Sequence, residues 1–220
     1  MFESLAQLNS FIVGCEKCSR LVEYRRRVAQ TKTKRFSDWT YWGKPLPGFG
    51  DKDAEILVVG LAPAAHGGNR TGRMFTGDSS GNTLMGSLYR VGLASKPTST
   101  DRWDGLKLWH VYITAVLRCV PPGNRPLRTE LENCSIYLKW ELELLKSLKV
   151  IVALGSIAYD SCIRLLGFQK KKFAHGLILS RGDLYLVSSY HPSRRNTQTG
   201  LLKQEMLDNV FATAKRLSGL

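Results

Sequence analysis

Acidic residues are scarce in this chain. Its 220 residues carry 18 Asp plus Glu against 32 Lys plus Arg, a formal charge of +14 at pH 7. Such an excess strains a compact monomer by self-repulsion unless a polyanion is the partner, so nucleic acid is the expected ligand class. Part of the charge is local: residues 20–35 hold Arg20, Arg25, Arg26, Arg27, Lys32, Lys34 and Arg35 with one acid, Glu23. Lys170-Lys171-Lys172 and Arg194-Arg195 add two smaller clusters. No uncharged apolar run is long enough to span a bilayer, which argues against a membrane protein. The stretch from Met1 to Val13 contains Glu3 and no basic lead, unlike a signal peptide, so a cytoplasmic location is expected. There is no repeat or low-complexity tract, and residues 1–220 read as one domain.

Cysteine is also sparse, at five, too few for a disulfide scaffold in a reducing compartment. Cys15 and Cys18 form a Cys-x-x-Cys pair, while Cys119 and Cys134 lie far along the chain. Two ligands from a tight turn and two from separate positions can converge into a tetrahedral thiolate set. That set suits structural zinc, marginally preferred on spacing alone, or a cubane iron–sulfur cluster. Cys162 lies in an apolar helical pattern and reads as a small buried hydrophobe.

Apolar runs at 55–60, 111–116 and 150–154 read as buried strands, and 177–180 with 184–187 as a hairpin about Arg181-Gly182-Asp183. Helical patterns cover 2–13, 82–91, 129–148, a segment bearing Cys162, and 200–217, whereas 43–50 reads as a loop. Strands alternating with helices predict an α/β domain with a mainly parallel sheet.

The tract following the first long strand is the chief candidate for a site. Gly60-Leu61-Ala62-Pro63-Ala64-Ala65-His66-Gly67 continues through Asn69-Arg70-Thr71-Gly72-Arg73-Met74-Phe75-Thr76-Gly77-Asp78. Loops leaving the carboxyl ends of strands in an open α/β sheet are where ligands bind. Phe75 stands there outside any apolar run that would explain it. The last strand ends in Tyr190-His191-Pro192-Ser193-Arg194-Arg195, which places His191 on the same rim. A stacking aromatic, a hydrogen-bond donor and a basic edge suit a flipped base.

These residues resemble the two active-site motifs of the uracil-DNA glycosylase superfamily. The four cysteines and this variant of the first motif resemble family 5, the type-B thermophilic branch. The resemblance implies a three-layer αβα fold about a four-stranded parallel sheet, and a structural [4Fe–4S] cluster on Cys15, Cys18, Cys119 and Cys134, displacing zinc. It implies that Phe75 stacks on the extruded base and His191 hydrogen-bonds the O2 of uracil. Asp78 and Asn124 take supporting catalytic roles, and Gly60, Leu61, Ala62, Pro63, Ala64 and Ala115 join Phe75 in substrate binding. Ser193, Arg194, Arg195, Arg70 and Arg73 are the expected DNA contacts, with one of Arg194 and Arg195 entering the gap left by the flipped nucleotide. The expected partner is damaged DNA, single- or double-stranded, met by a monomer in the prokaryotic nucleoid, with a sliding clamp as a further possible partner.

The departures carry meaning. Other branches place an acid or amide beside the first-motif proline, where this chain has Leu61 and Ala62. The family-4 relatives carry an Asn four residues before the third cysteine, where this chain has Ala115. A pocket with neither group leaves little unpaired by a wrong base, so hypoxanthine and xanthine are expected substrates beside uracil. The alternative reading is a non-catalytic iron–sulfur or zinc protein that binds nucleic acid. An enzyme acting on free nucleotides would leave the basic surface oversized.

Overall fold

The computed structural model describes residues 2–220. Its elements in chain order begin with α1 (Leu5–Val13), α2 (Ser19–Thr31), β1 (Phe49–Gly50) and β2 (Ile56–Gly60). A one-turn helix α3 (Gly68–Thr71) and α4 (Ser79–Arg90) lead to β3 (Val111–Ala115), α5 (Arg128–Leu144), β4 (Val150–Leu154) and α6 (Ser156–Leu166). The hairpin β5 (Ile178–Arg181) and β6 (Leu184–Ser189), then α7 (Arg194–Gln198) and α8 (Gln204–Ser218), complete the chain.

The sheet has six strands in the order β1-β3-β2-β4-β6-β5. β3, β2, β4 and β6 pair in parallel, while β1 and β5 add antiparallel edges, so the sheet is mixed and wider than four strands. The continuous apolar runs of β2, β3 and β4 are buried on both faces, as parallel strands covered by helices must be. Alternate residues feed separate cores. Ile56, Val58, Ile113 and Val152 face a cluster with Leu84 and Leu88 of α4 and Phe211 of α8. Leu57, Val59, Ile151 and Ala153 face Leu138 of α5 and Tyr159 and Cys162 of α6. This gives the three αβα layers. Cys162 is fully buried, as its apolar surroundings predict.

The largest departure from the sequence reading is α2. It occupies the basic stretch and buries Leu21, Val22, Arg25 and Val28 on one face. The segment at 43–50 is mostly a loop, but Phe49–Gly50 pairs with Ile113 and Tyr112. Gly50 sits at φ +132, and a Cβ there would meet the Val111 carbonyl at 2.2 Å. Among the described residues no helix is long and apolar enough to cross a membrane.

Candidate active site

Two loops leave the carboxyl ends of the parallel strands side by side. The first runs from Gly60 at the end of β2 to Asp78, the N-cap of α4. The second follows β6 and carries His191, with Ser193 capping α7 through the Asn196 amide. The Phe75 and His191 rings meet face to face, 5.9 Å between centroids and inclined by 30°. The Asn196 side chain donates to the His191 carbonyl at 2.8 Å and fixes that loop.

Phe75 is half-buried against the α4–α8 core rather than free of apolar neighbours. Its backbone has φ +47, an unusual state for a bulky residue and a marker of a constrained site. Two glycines permit it. A Cβ at Gly60 would lie 2.6 Å from the Phe75 ring, and one at Gly81 would lie 2.2 Å from the Phe75 carbonyl. Protein packed around His191 pushes its imidazole down to about 4, so the ring is neutral at physiological pH.

An open cleft with about 980 Å³ of empty volume adjoins these loops. Asp78, Asn124 and Arg194 line it, together with Ala64, His66 and Gly67. Asp78 accepts from the Gly81 N–H at 2.9 Å through Oδ1. Its Oδ2 lies over Gly67, where a Cβ would approach to 2.0 Å. Burial raises the Asp78 carboxyl above its ordinary value, against the pull of the Gly81 and Ser80 N–H groups and Arg70. Asn124 is exposed at φ +57, closing the short 3-10 turn Pro122–Asn124.

Other expected substrate contacts are placed differently. Gly60 and Ala115 are neighbours in the β2–β3 register, and Ala115 is buried. The Leu61 side chain packs toward the α5–α6 core and Ala62 toward the cysteine-bearing cluster. Their carboxylate-free side chains are thus turned into packing, and Pro63 is buried beside Gly68.

Of the expected DNA contacts, Arg194 and Arg195 are exposed at the start of α7. Arg70 and Arg73 are not exposed; both are buried structural cations. Arg70 donates to the His66 and Gly77 carbonyls and its guanidinium lies between the Phe36 and Trp39 rings. Arg73 pairs with Asp104 at 2.7 Å and donates to Thr76 and Ser99. Together they brace the site loop. The basic stretch is likewise only partly free: Arg25 is buried on the Gly43 and Cys15 carbonyls, Arg20 pairs with Glu130, Arg26 with Glu16 and Arg27 with Glu23.

His66 has no role in the sequence reading, although it stands inside the first motif. Tyr41 hydroxyl lies 3.0 Å from its Nδ1, and burial together with Arg70 lowers its pKa. The pairing comes from a residue 25 positions away, which no local pattern reveals.

Cys15, Cys18, Cys119 and Cys134 line one cavity of about 340 Å³ empty volume. Among the described residues, no group of three or more His, Cys, Asp or Glu side chains is spaced to hold a single metal ion. The Arg118 N–H donates to Cys134 Sγ at 3.4 Å and the Asn133 amide to Cys18 Sγ at 3.7 Å. Burial pushes the Cys119 and Cys134 thiols up to about 12 and about 11; Arg25 and Arg118 respectively act in the opposite sense.

Residues 47–215 match the family model described as "Uracil DNA glycosylase superfamily". The chain is 47% identical over 212 residues to the "Type-5 uracil-DNA glycosylase" of Thermus thermophilus, covering 95% of this chain and 96% of that protein. It is 46% identical over 222 residues to the Mycobacterium tuberculosis protein of the same description, covering 99% and 83%. The "Type-4 uracil-DNA glycosylase" of Archaeoglobus fulgidus is 34% identical over 202 residues, covering 87% and 82%.

Proposed function

The chain belongs to the uracil-DNA glycosylase superfamily, and from that premise we propose that it is a DNA-repair enzyme that hydrolyses the N-glycosidic bond of uracil extruded from DNA. The observation that carries the reading is the facing pair of Phe75 and His191 on adjacent strand-end loops, beside a cleft holding Asp78. The C1′–N bond breaks with its electron pair going to the base, which leaves as an anion from an oxocarbenium-like sugar. His191, neutral and held by its loop, donates an N–H to the developing charge on the base oxygen. Phe75 supplies the stacking face. Asp78 has one oxygen committed to the α4 N-terminus and the other beside Gly67, and with Asn124 it orients the water that adds to C1′. That water yields its proton to solvent, and an abasic site remains.

The base range follows from what the site lacks. With Leu61 and Ala62 turned into packing and Ala115 buried, these positions bring no polar group that a purine edge would leave unpaired. Hypoxanthine and xanthine are therefore proposed substrates beside uracil. The test is incubation of duplexes carrying uracil, hypoxanthine or xanthine, followed by alkaline cleavage at abasic sites. Cleavage at uracil is the expected result; tight binding without abasic product would establish the non-catalytic reading instead.

A [4Fe–4S] cluster on Cys15, Cys18, Cys119 and Cys134 is part of the same proposal. Supporting it are the shared cavity of four thiols, the two N–H groups donating to sulfur, and the cations Arg25 and Arg118 close by. When bound, the cluster supplies a crosslink between the N-terminal segment and α5, and no part of bond cleavage is assigned to it. The purified protein is expected to contain iron and acid-labile sulfide in equal amounts, lost in Cys119→Ser and kept in Cys162→Ser. Zinc without sulfide would overturn the assignment.

A further inference from the structure

A second cleft, with about 900 Å³ of empty volume, opens beside the catalytic one. The two share Arg35, Phe36, Gly77, Asp78 and Ser79, so they form one continuous depression. From there an array of aromatic rings and cations leads away from the site. The Arg70 guanidinium lies 3.9 Å from the Phe36 centroid and 4.0 Å from that of Trp39. The Trp42 backbone N–H donates to the Arg70 carbonyl, which ties the backbone carrying the next ring to the same segment, and the Trp42 indole N–H donates to the Pro45 carbonyl. Arg102 then sits 4.6 Å from Trp42 and 4.7 Å from Trp103, and Lys44 lies 5.7 Å over Trp42.

Trp103 is 81% exposed and Trp39 is 38% exposed. Neither belongs to a core cluster, and burial gives no reason for two indoles here. The loop presenting Trp103 is rigid rather than slack. Asp101 accepts from the Trp103 N–H at 2.7 Å, and Asp104 accepts from Thr100 and Leu106 while paired with buried Arg73. A rigid indole held out in water beside an arginine is a stacking platform. Three acids, Asp38, Asp78 and Asp101, lie among these groups, and Arg35, Lys44, Arg70 and Arg102 outnumber them. Rings interleaved with cations match what unpaired nucleotides require: π faces for bases and positive charge for the backbone. Paired bases expose no face to stack on, so duplex DNA does not use the rings.

Building on the glycosylase reading, we propose that this track binds single-stranded DNA running out from the lesion-bearing strand, bases on Trp39 and Trp103, phosphates on Arg35, Lys44 and Arg102. The enzyme then engages a lesion at a single-strand to double-strand junction more tightly than one within a plain duplex. Arg70 is enclosed between two rings and serves as the rivet that holds Phe36 and Trp39 in place.

The experiment compares uracil-containing duplexes that are blunt or carry an oligothymidylate tail of about 8 nucleotides on the 5′ or the 3′ side. Binding and single-turnover excision are measured for the intact protein, Trp103→Ala and Trp39→Ala. One tail polarity is expected to tighten binding by about tenfold or more, the worth of one or two stacked bases. Each variant is expected to lose most of that gain, and Trp103→Ala, whose ring lies apart from the Arg70 brace, is expected to excise uracil from blunt duplex at the unaltered rate. Equal affinity for tailed and blunt substrates, or a gain that survives in both variants, overturns the proposal. Blunt-duplex excision reads the glycosylase activity by itself, so its absence would fail that reading while the tail-dependent binding still reports on the track.

Discussion

His191→Ala is expected to slow single-turnover uracil excision by about 10²–10³-fold, the loss that follows removal of one preorganised oxyanion donor. The imidazole is stacked on Phe75, its loop is pinned by Asn196, and burial holds its pKa near 4. A donor fixed before the reaction needs no reorganisation as charge develops on the leaving base, which is why one hydrogen bond carries so much of the barrier. Affinity for uracil-containing duplex should change little, since phosphate contacts dominate it. An unchanged excision rate with enzyme in excess would remove His191 from the chemistry. A slowed rate matched by lost binding would make it a DNA contact.

The same depressed pKa has a consequence for stability. In the unfolded chain the imidazole titrates at about 6.5, whereas in the folded protein it does so at about 4. Between those values the unfolded state binds a proton that the folded state refuses. Stability from this group is thus full above about 6.5 and declines as acidification approaches 4. The alanine variant lacks this acid-sensitive component, so its stability should fall less steeply than the parent's across that window. The catalytic loss and the weaker acid dependence are two readouts of one half-buried, neutral ring.

The strand-end loops and the glycine-rich tract after β2 were legible because each depends on local pattern, as was the Cys15–Cys18 pair, whereas its meeting with Cys119 and Cys134 in one cavity is a tertiary event. Gly60, Phe75 and Gly81 show why: the glycines are placed by backbone need within one loop and helix start, and that need is written in nearby sequence. Cations were less legible. Arg25, Arg70 and Arg73 look in sequence like surface charge, yet all three are buried: Arg25 on the Gly43 carbonyl, Arg73 on Asp104, and Arg70 on carbonyls of its own loop beneath the Phe36 and Trp39 rings. Composition counts charge but does not say where a guanidinium points. α2 was hidden for a related reason, because Arg20, Arg26 and Arg27 surround the short apolar stripe of Leu21, Val22 and Val28. The edge strands β1 and β5 are short, and their antiparallel pairing follows from tertiary contact. The Tyr41–His66 pair and the aromatic track likewise join remote positions.

Glu141→Ala should destabilise the fold by about 3–5 kcal/mol, the cost of leaving one member of a buried ion pair uncompensated. Arg118 and Glu141 are both essentially inaccessible, and their side chains pair directly. Glu141 also accepts from the Thr114 hydroxyl at 2.8 Å. Arg118 Nε and Nη1 and Glu141 Oε1 have no hydrogen-bond partner among the described residues, the pair being made through Arg118 Nη2 and Glu141 Oε2. Removing the carboxylate therefore strands the guanidinium without the one acid that pairs with it. The pair also links the chain after β3 to α5, the two segments that carry Cys119 and Cys134. In a chain of this size the loss corresponds to a fall in Tm of roughly 6–20 °C. The double variant Arg118→Met/Glu141→Leu discards both charges and keeps apolar volume, so it should recover most of that fall. Thermal unfolding of the three proteins under identical conditions checks both statements. A Glu141→Ala protein within a few degrees of the parent would show that Arg118 finds another partner once its acid is gone. A double variant as unstable as the single would shift the cause from charge to packing between β3 and α5.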